Sequence, residues 1–350
     1  MSERVMAWIA KIDNVETHPN ADALDICTVG GWKVVSQKGL YRKGDLAVYA
    51  SIDSWIPNEI APFLSKGQEP REYNGVKGER LRTIKLRGVI SQGLLLPFGI
   101  CMSTYDGEAV STDWNIGDDV SELLGIQKYE PPIPACLAGE VKGVFPSFIP
   151  KTDESRIQNL SDEWEELKTI DPWFITEKID GTSFTAYIKG DTFGVCSRNL
   201  ELRENESNTH WKFVRDNGIE EKMRQFRSEH GNVDFAIQGE LAGEGIQKNL
   251  YKLKGHKVFL FNAYNITDCA FFGWDTLNDI SVALGIETVP ILGEHQHFEP
   301  DETIDNILKF ASGKSVLNPS TEREGVVFKT YAREKSFKAI SNNFLMKHDN

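Results

Sequence analysis

The chain has 350 residues, 40% of them hydrophobic, and a formal net charge of −13. No apolar run reaches membrane-span length, and such an acidic surface repels phosphate backbones, so a membrane protein and a general nucleic-acid coat are both excluded. The length favours two domains. The five cysteines (Cys27, Cys101, Cys136, Cys196, Cys269) are scattered, with no Cys-x-x-Cys pair, and read as reduced thiols of a cytoplasmic protein without a zinc site. No basic-then-apolar leader opens the sequence, so no secretory signal is expected.

In chain order, Val5 to Ile12 reads as a strand, followed by a turn and a second strand ending near Cys27. Trp32 to Ser36 and Leu46 to Ala50 follow, the latter after an Arg42-Lys43-Gly44-Asp45 turn. Short strands with Gly and Asp turns predict a small β-barrel over residues 1–100. The stretch His18-Pro19-Asn20-Ala21-Asp22-Ala23-Leu24 resembles the opening of OB-fold tRNA-binding domains, which by analogy raises the expectation of nucleic acid. Arg80 and Arg82, then Lys85 and Arg87, alternate, with Lys77 just before them. On a strand, alternate residues share a face, so these predict a cationic stripe for phosphate contact. A solvated strand edge is the equal alternative.

Regularity fades from Cys101 to Pro134, where Gly107, Gly117 and a Pro131-Pro132-Ile133-Pro134 run predict a connector over residues 101–145, with one short helix near Asp119 to Leu124. The second domain is then 146–350. Thr152 is a good N-cap, Asp153 and Glu154 suit a first helical turn, and Ile157, Leu160, Trp164 and Leu167 recur at helical spacing. Arg156 reads either as a surface ion pair or as a phosphate clamp.

Trp173-Phe174-Ile175 leads into Glu177-Lys178-Ile179-Asp180-Gly181-Thr182, and a second β-prone run leads away. Lys178 thus either ends a buried strand or decorates an exposed turn. A buried lysine must be paired or neutral, and a neutral one is a nucleophile. A hairpin at Lys189-Gly190-Asp191 returns Arg198 toward Lys178. An amphipathic helix is predicted over 208–230, stopped by Gly231. The strand from Val233 to Gln238 delivers Glu240 at its end. Further strands are predicted at 258–266, 324–329 and 336–340, and helices at 276–284 and 302–311.

In this order, Glu-Lys-x-Asp-Gly, Ser197-Arg198, Gly239-Glu240-Leu241, an aromatic strand ending Tyr264-Asn265-Ile266, Glu324-Gly325-Val326-Val327-Phe328-Lys329 and Phe337-Lys338 resemble the nucleotidyltransferase motifs of covalent ligases and capping enzymes. The run from Gly239 to Asn249 is similar to that of nick-sealing RNA ligases, and the OB-like start resembles the Deinococcus-type RNA ligases. The resemblance implies an α+β chain, with an OB-like barrel followed by an ATP-grasp-like domain of antiparallel sheets and helices. It implies ATP as cofactor, AMP carried on Lys178, and Mg2+ or Mn2+ held by Asp180, Glu240 and Glu324 through water. Neighbouring positive charge and the metal are expected to lower the proton affinity of Lys178. Arg198 and Lys338 would touch the α-phosphate, Arg156 the outer phosphates, and Glu177 and Lys329 the nucleotide; Tyr264 would stack on adenine, with Phe261 as rival. The implied partners are a nicked duplex with an RNA 3′-OH end, or RNA ends, with no membrane and no obligate protein partner. One departure stands out: Ile340 occupies the place of a second lysine, for which Lys335 and Lys347 are substitutes. Alternative readings are a DNA ligase, a capping-type transferase, or an inactive nucleic-acid-binding protein.

Overall fold

The computed structural model describes residues 4–102, 114–130, 139–170, 172–331, 333 and 335–348. The expected Pro131–Pro134 linker, Gly107 and Cys136 lie outside them. The chain divides into two compact units, residues 1–132 with 345–350, and 133–344. Among the described residues no helix is long and apolar enough to cross a membrane, and Cys27, Cys101, Cys196 and Cys269 are free thiols.

In the first unit, Leu46–Ala50 lies between Ala7–Lys11 and Leu94–Pro97 in an antiparallel sheet. Its side chains alternate between two cores. Val48 and Ala50 join Ile9, Ile56 and Leu96, while Ala47 and Tyr49 join Ile12, Val34 and Leu95. A sheet buried on both faces needs this near-continuous apolar run. Asn14–Thr17, Leu24–Val29 and Trp32–Gln37 form a three-stranded meander beside it in sequence. The unit does not stop at residue 100: Val120, Leu124 and Ile126 enter its core, and Gln127–Lys128 pairs with Ser54–Pro57. Residues 121–125 form turns, not the expected helix, with Gly125 at φ 62°.

The cationic stripe is broken. Arg80 ends the strand Val76–Arg80, whereas Lys85 belongs to Ile84–Leu86 and Arg87 to its turn, at φ 46°. Arg82 lies between strands, so alternation across residues 80–87 carries no shared face. Arg80 pairs with Asp53 at 2.5 Å and lies over the Tyr129 ring. The His-Pro-Asn motif instead holds the basic hairpin. His18 is buried and donates through Nε2 to the Leu86 carbonyl at 3.1 Å, and Asn20 donates to the Arg87 carbonyl at 2.9 Å.

The second unit rests on two antiparallel sheets. The larger has seven strands, with Thr182–Lys189 and Phe235–Gly243 at its centre. One face (Phe184, Ala186, Ile237, Leu241, Leu260) is covered by helices Thr209–Asp216, Ile219–Glu229 and Trp274–Leu284. The expected single helix over 208–230 is two, because Gly218 takes a left-handed φ of 60°. Asn208 caps the first, accepting from His210 and Trp211 amides. The smaller sheet runs Ile291–Gln296, Trp173–Lys178, Gly325–Thr330, Ser336–Ile340. Trp173, Ile175, Val326, Phe328 and Phe337 bury one face beneath Ile304–Ala311. With period two, the opposite face carries Lys178, Lys329 and Lys338.

The helix expected after Thr152 does not form. Residues 151–155 have no regular structure, Arg156 bridges to Lys338, and short helices follow only at Ile157–Leu160 and Trp164–Leu167. Asp153 and Glu154 bind cations of neighbouring strands instead of helical N–H groups.

Candidate active site

Lys178 is the last residue of a small-sheet strand and Thr182 the first of a large-sheet strand. The intervening residues 179–181 carry the chain from one sheet to the other, so the lysine sits where the sheets meet. Gly181 is needed for space: a Cβ there would lie 2.5 Å from the Leu241 carbonyl oxygen. The turn is held from outside. Tyr251 Oη accepts from the Asp180 amide at 2.6 Å, and Gln247 donates to the Gly181 carbonyl at 3.1 Å.

Pairing across the sheets supplies the acids. Gly325 pairs with Lys178, which puts Glu324 beside it: Lys178 Nζ donates to Glu324 Oε2 at 2.7 Å, with the lysine side chain 26% exposed. Gly325 permits that approach, since a Cβ on it would meet the Ala339 carbonyl at 2.2 Å. Glu240 is not at a strand end as expected. Its strand runs on to Gly243, and Glu240 pairs with Ser183 and Phe259 on the face turned from the helices. Burial, with Glu324 and Asp180 adding to it against Lys178, raises Glu240 to about 8. Burial and Glu324 raise Asp180 to about 6.

The expected lowering of Lys178 is reversed. Burial pulls its proton affinity down, but Glu324, Glu240 and Asp180 outweigh it, so the ammonium form is favoured. The positive neighbour is Lys338, itself lowered to about 8 by burial, with Lys178 and Arg156 nearby. Lys329, 8% exposed, is also lowered to about 8 by burial. It donates to Asn262 Oδ1 at 2.6 Å and faces Glu154 at 3.4 Å. Arg333 joins it, donating to the Phe261 carbonyl at 2.8 Å and to Asn262 at 2.9 Å. Sequence reasoning missed Arg333, Asn262 and Tyr251. Asn262 had a signal in the aromatic strand; the other two had none.

Arg198 acts on Glu240 electrostatically and pairs with Asp153 at 2.8 Å. Glu177 points away from Lys178, into the unit. Its Oε2 accepts from the Val316 amide at 2.7 Å, while the buried Oε1 has no hydrogen-bond partner among the described residues. Tyr264 pairs with Ala236, four residues along from Glu240, and packs beside Phe148 and edge-on to Phe271. Phe261 packs instead on the Ile179, Tyr251 and Phe259 cluster next to the lysine, under Lys329. Ile340 shares the Lys338 face and is buried, and the Lys335 amide is tied to Thr330. Lys347 lies in the C-terminal helix Asn342–His348. Arg80, Arg82, Lys85 and Arg87 belong to the first unit.

Among the described residues no three His, Cys, Asp or Glu converge closely enough to ligate an ion directly. Asp180, Glu240 and Glu324 nonetheless form a carboxylate set, in which burial and mutual repulsion raise Asp180 and Glu240. That fits a cation held through its water shell.

A family model described as RNA ligase matches residues 171–340, and one described as an OB-fold domain matches residues 6–98. Among solved structures, the chain is similar to an apo mutant of a Naegleria gruberi RNA ligase at 40% identity and TM-score 0.86, covering 100% of this chain and 99% of that one. The Naegleria gruberi RNA ligase with PPi is similar at 41% identity and TM-score 0.85, over 99% of both chains. A mutant of that ligase with ATP and Mn is similar at 40% identity and TM-score 0.85, over 99% of this chain and 100% of that one. None of the curated proteins matches the chain.

Proposed function

The chain belongs to the RNA ligase family and is a ligase; on that premise we propose that it joins RNA ends with ATP, through AMP carried on Lys178. The observation that supports this most is Lys178 Nζ held 2.7 Å from Glu324, among Glu240 and Asp180, where the chain passes between two sheets. Glu324 Oε2 is placed to accept the ammonium proton. The freed Nζ lone pair then forms a bond to the α-phosphorus of ATP while the bond to the β-phosphate oxygen breaks, and pyrophosphate leaves with the electron pair. An RNA 5′-phosphate oxygen takes the AMP, the N–P bond breaks, and the pair returns to Lys178. A 3′-OH then attacks the 5′-phosphorus and AMP leaves.

Asp180, Glu240 and Glu324 would hold a divalent cation through water, and its charge would offset the acids and the phosphate oxygens. Arg198 and Lys338 would hold the α-phosphate and Arg156 the outer phosphates. Phe261 is better placed than Tyr264 to cover the base, and Glu177 would contact the nucleotide only through the strand it shares with Lys178. The substrate is a nick with 3′-OH and 5′-phosphate ends and RNA on the 3′-OH strand. The resemblance of residues 239–249 to nick-sealing ligases and the OB-fold match at residues 6–98 support this.

The test is incubation with α-labelled ATP or GTP and magnesium. Label should stay on the protein with ATP and be absent from Lys178→Ala. No label with either nucleotide would sink the ligase mechanism in favour of a binding protein. Nicked duplexes differing in RNA or DNA at the 3′-OH strand then read substrate choice. Equal sealing of an all-DNA nick would refute the RNA requirement.

A further inference from the structure

Asp153 lies outside every motif that carries the resemblance, yet it holds two cations of the candidate site together. Its Oδ2 accepts from Arg198 Nη2 at 2.8 Å and its Oδ1 from Lys338 Nζ at 3.3 Å. Each carboxylate oxygen takes one cation, as two non-bridging oxygens of a phosphate would. Arg198 sits in the turn joining Thr192–Cys196 to Leu200–Leu202 of the large sheet and Lys338 on a strand of the small sheet, so the carboxylate links the two at the position their charges define. We propose that Asp153 is an internal stand-in for the nucleotide phosphate, which AMP must displace from Arg198 and Lys338 and which returns to expel it. This rests on the reading of those two cations as the α-phosphate site.

The neighbouring acid behaves differently. Glu154 faces Lys329 at 3.4 Å and also accepts from the Ser336 hydroxyl. Its side chain is largely covered, whereas that of Asp153 is 51% exposed. Asp153 sits on backbone without regular structure, so it can swing out without breaking a helix or a ladder. Its flank stays anchored, because the Ser155 carbonyl accepts from the Lys338 amide at 2.8 Å. Burial would raise the Asp153 carboxyl, but Lys338 and Arg198 hold it at about 2, so the competitor is charged at any working pH. An exposed competing ion pair weakens phosphate binding modestly, by about threefold to tenfold. Such weakening favours release of AMP once the ends are joined.

The experiment is equilibrium binding of AMP and of adenosine to the full chain in metal-free buffer, with thermal melting as the folding control. Asp153→Asn should bind AMP about threefold to tenfold more tightly, with a steeper salt dependence and no change for adenosine. Asp153→Glu, which keeps the charge, should stay near the parent. AMP binding that is unchanged or weaker in a folded Asp153→Asn chain overturns the proposal. Arg198→Ala and Lys338→Ala separate the two levels. If both weaken AMP but not adenosine while Asp153→Asn does not tighten it, the stand-in fails and the phosphate site survives. If neither weakens AMP, the phosphate site fails and the proposal falls with it.

Discussion

The two units use their cations in opposite ways. In the first, Arg71 pairs with Glu79, Lys77 with Glu69 at 3.0 Å, and Arg80 with Asp53 at 2.5 Å, on strands near the surface. In the second, Lys178, Lys329, Lys338 and Arg333 are drawn into one cleft region with Asp153, Glu154, Asp180, Glu240 and Glu324. Burial there moves Lys329 and Lys338 to about 8 and Arg333 to about 10. Exposed pairs of this kind contribute little to stability. A shielded cluster cannot satisfy every charge at once, and that imbalance is what chemistry can use.

The sharpest way to break the comparison is Lys178→Ala. It should cut protein labelling by ATP by at least about 10⁴-fold while leaving the melting curve of the chain unshifted. Residual labelling near the parent rate would remove the lysine from its role. Next is Gly181→Ala, which forces a Cβ toward the Leu241 carbonyl. The expected destabilisation is about 1–3 kcal/mol, with slower labelling; an unshifted melting curve would show that the turn yields freely.

Glu240→Gln tests the charge imbalance itself. Burial places Glu240 at about 8 in the folded chain, against about 4.3 when unfolded. The folded state therefore binds the extra proton, and stability falls as pH rises from about 4 to about 8. In metal-free buffer the Gln variant should gain on the parent over that window and converge with it below about pH 4. Parallel pH profiles would contradict the raised carboxyl. The smallest effect belongs to the first unit. Lys85→Ala with Arg87→Ala should lower nick affinity severalfold at low salt and reduce the salt slope by about 1 per lost phosphate contact, with labelling by ATP unaffected. An unchanged salt slope would leave the hairpin that His18 and Asn20 hold without a nucleic-acid role.

Leu46–Ala50 and Ser336–Ile340 fall where the alternation of β-prone residues puts them, and the helix Trp274–Leu284 ends where Gly285 stops it. These are local matters of side-chain period and backbone freedom. The failures share one cause. Thr152 has the chemistry of an N-cap, and Arg80, Arg82, Lys85 and Arg87 have the spacing of a stripe. In both places partners distant in sequence decided the backbone. Lys338 and Arg198 drew Asp153 out of a helical turn, and a strand break at residues 81–83 scattered the cations.

The sequence by itself determined which groups are chemically able: Lys178 before Asp180 and Gly181, and Glu240 and Glu324 each beside a glycine. Only the tertiary structure decided which of them meet. The pairing of Lys178 with Gly325 and of Ser183 with Glu240 joins residues far apart in the chain, and Arg333, Tyr251 and Asp153 enter the site by packing alone. Neighbours along a chain are fixed by covalent order, whereas neighbours across a cleft are fixed by how two sheets, each with its own core, meet.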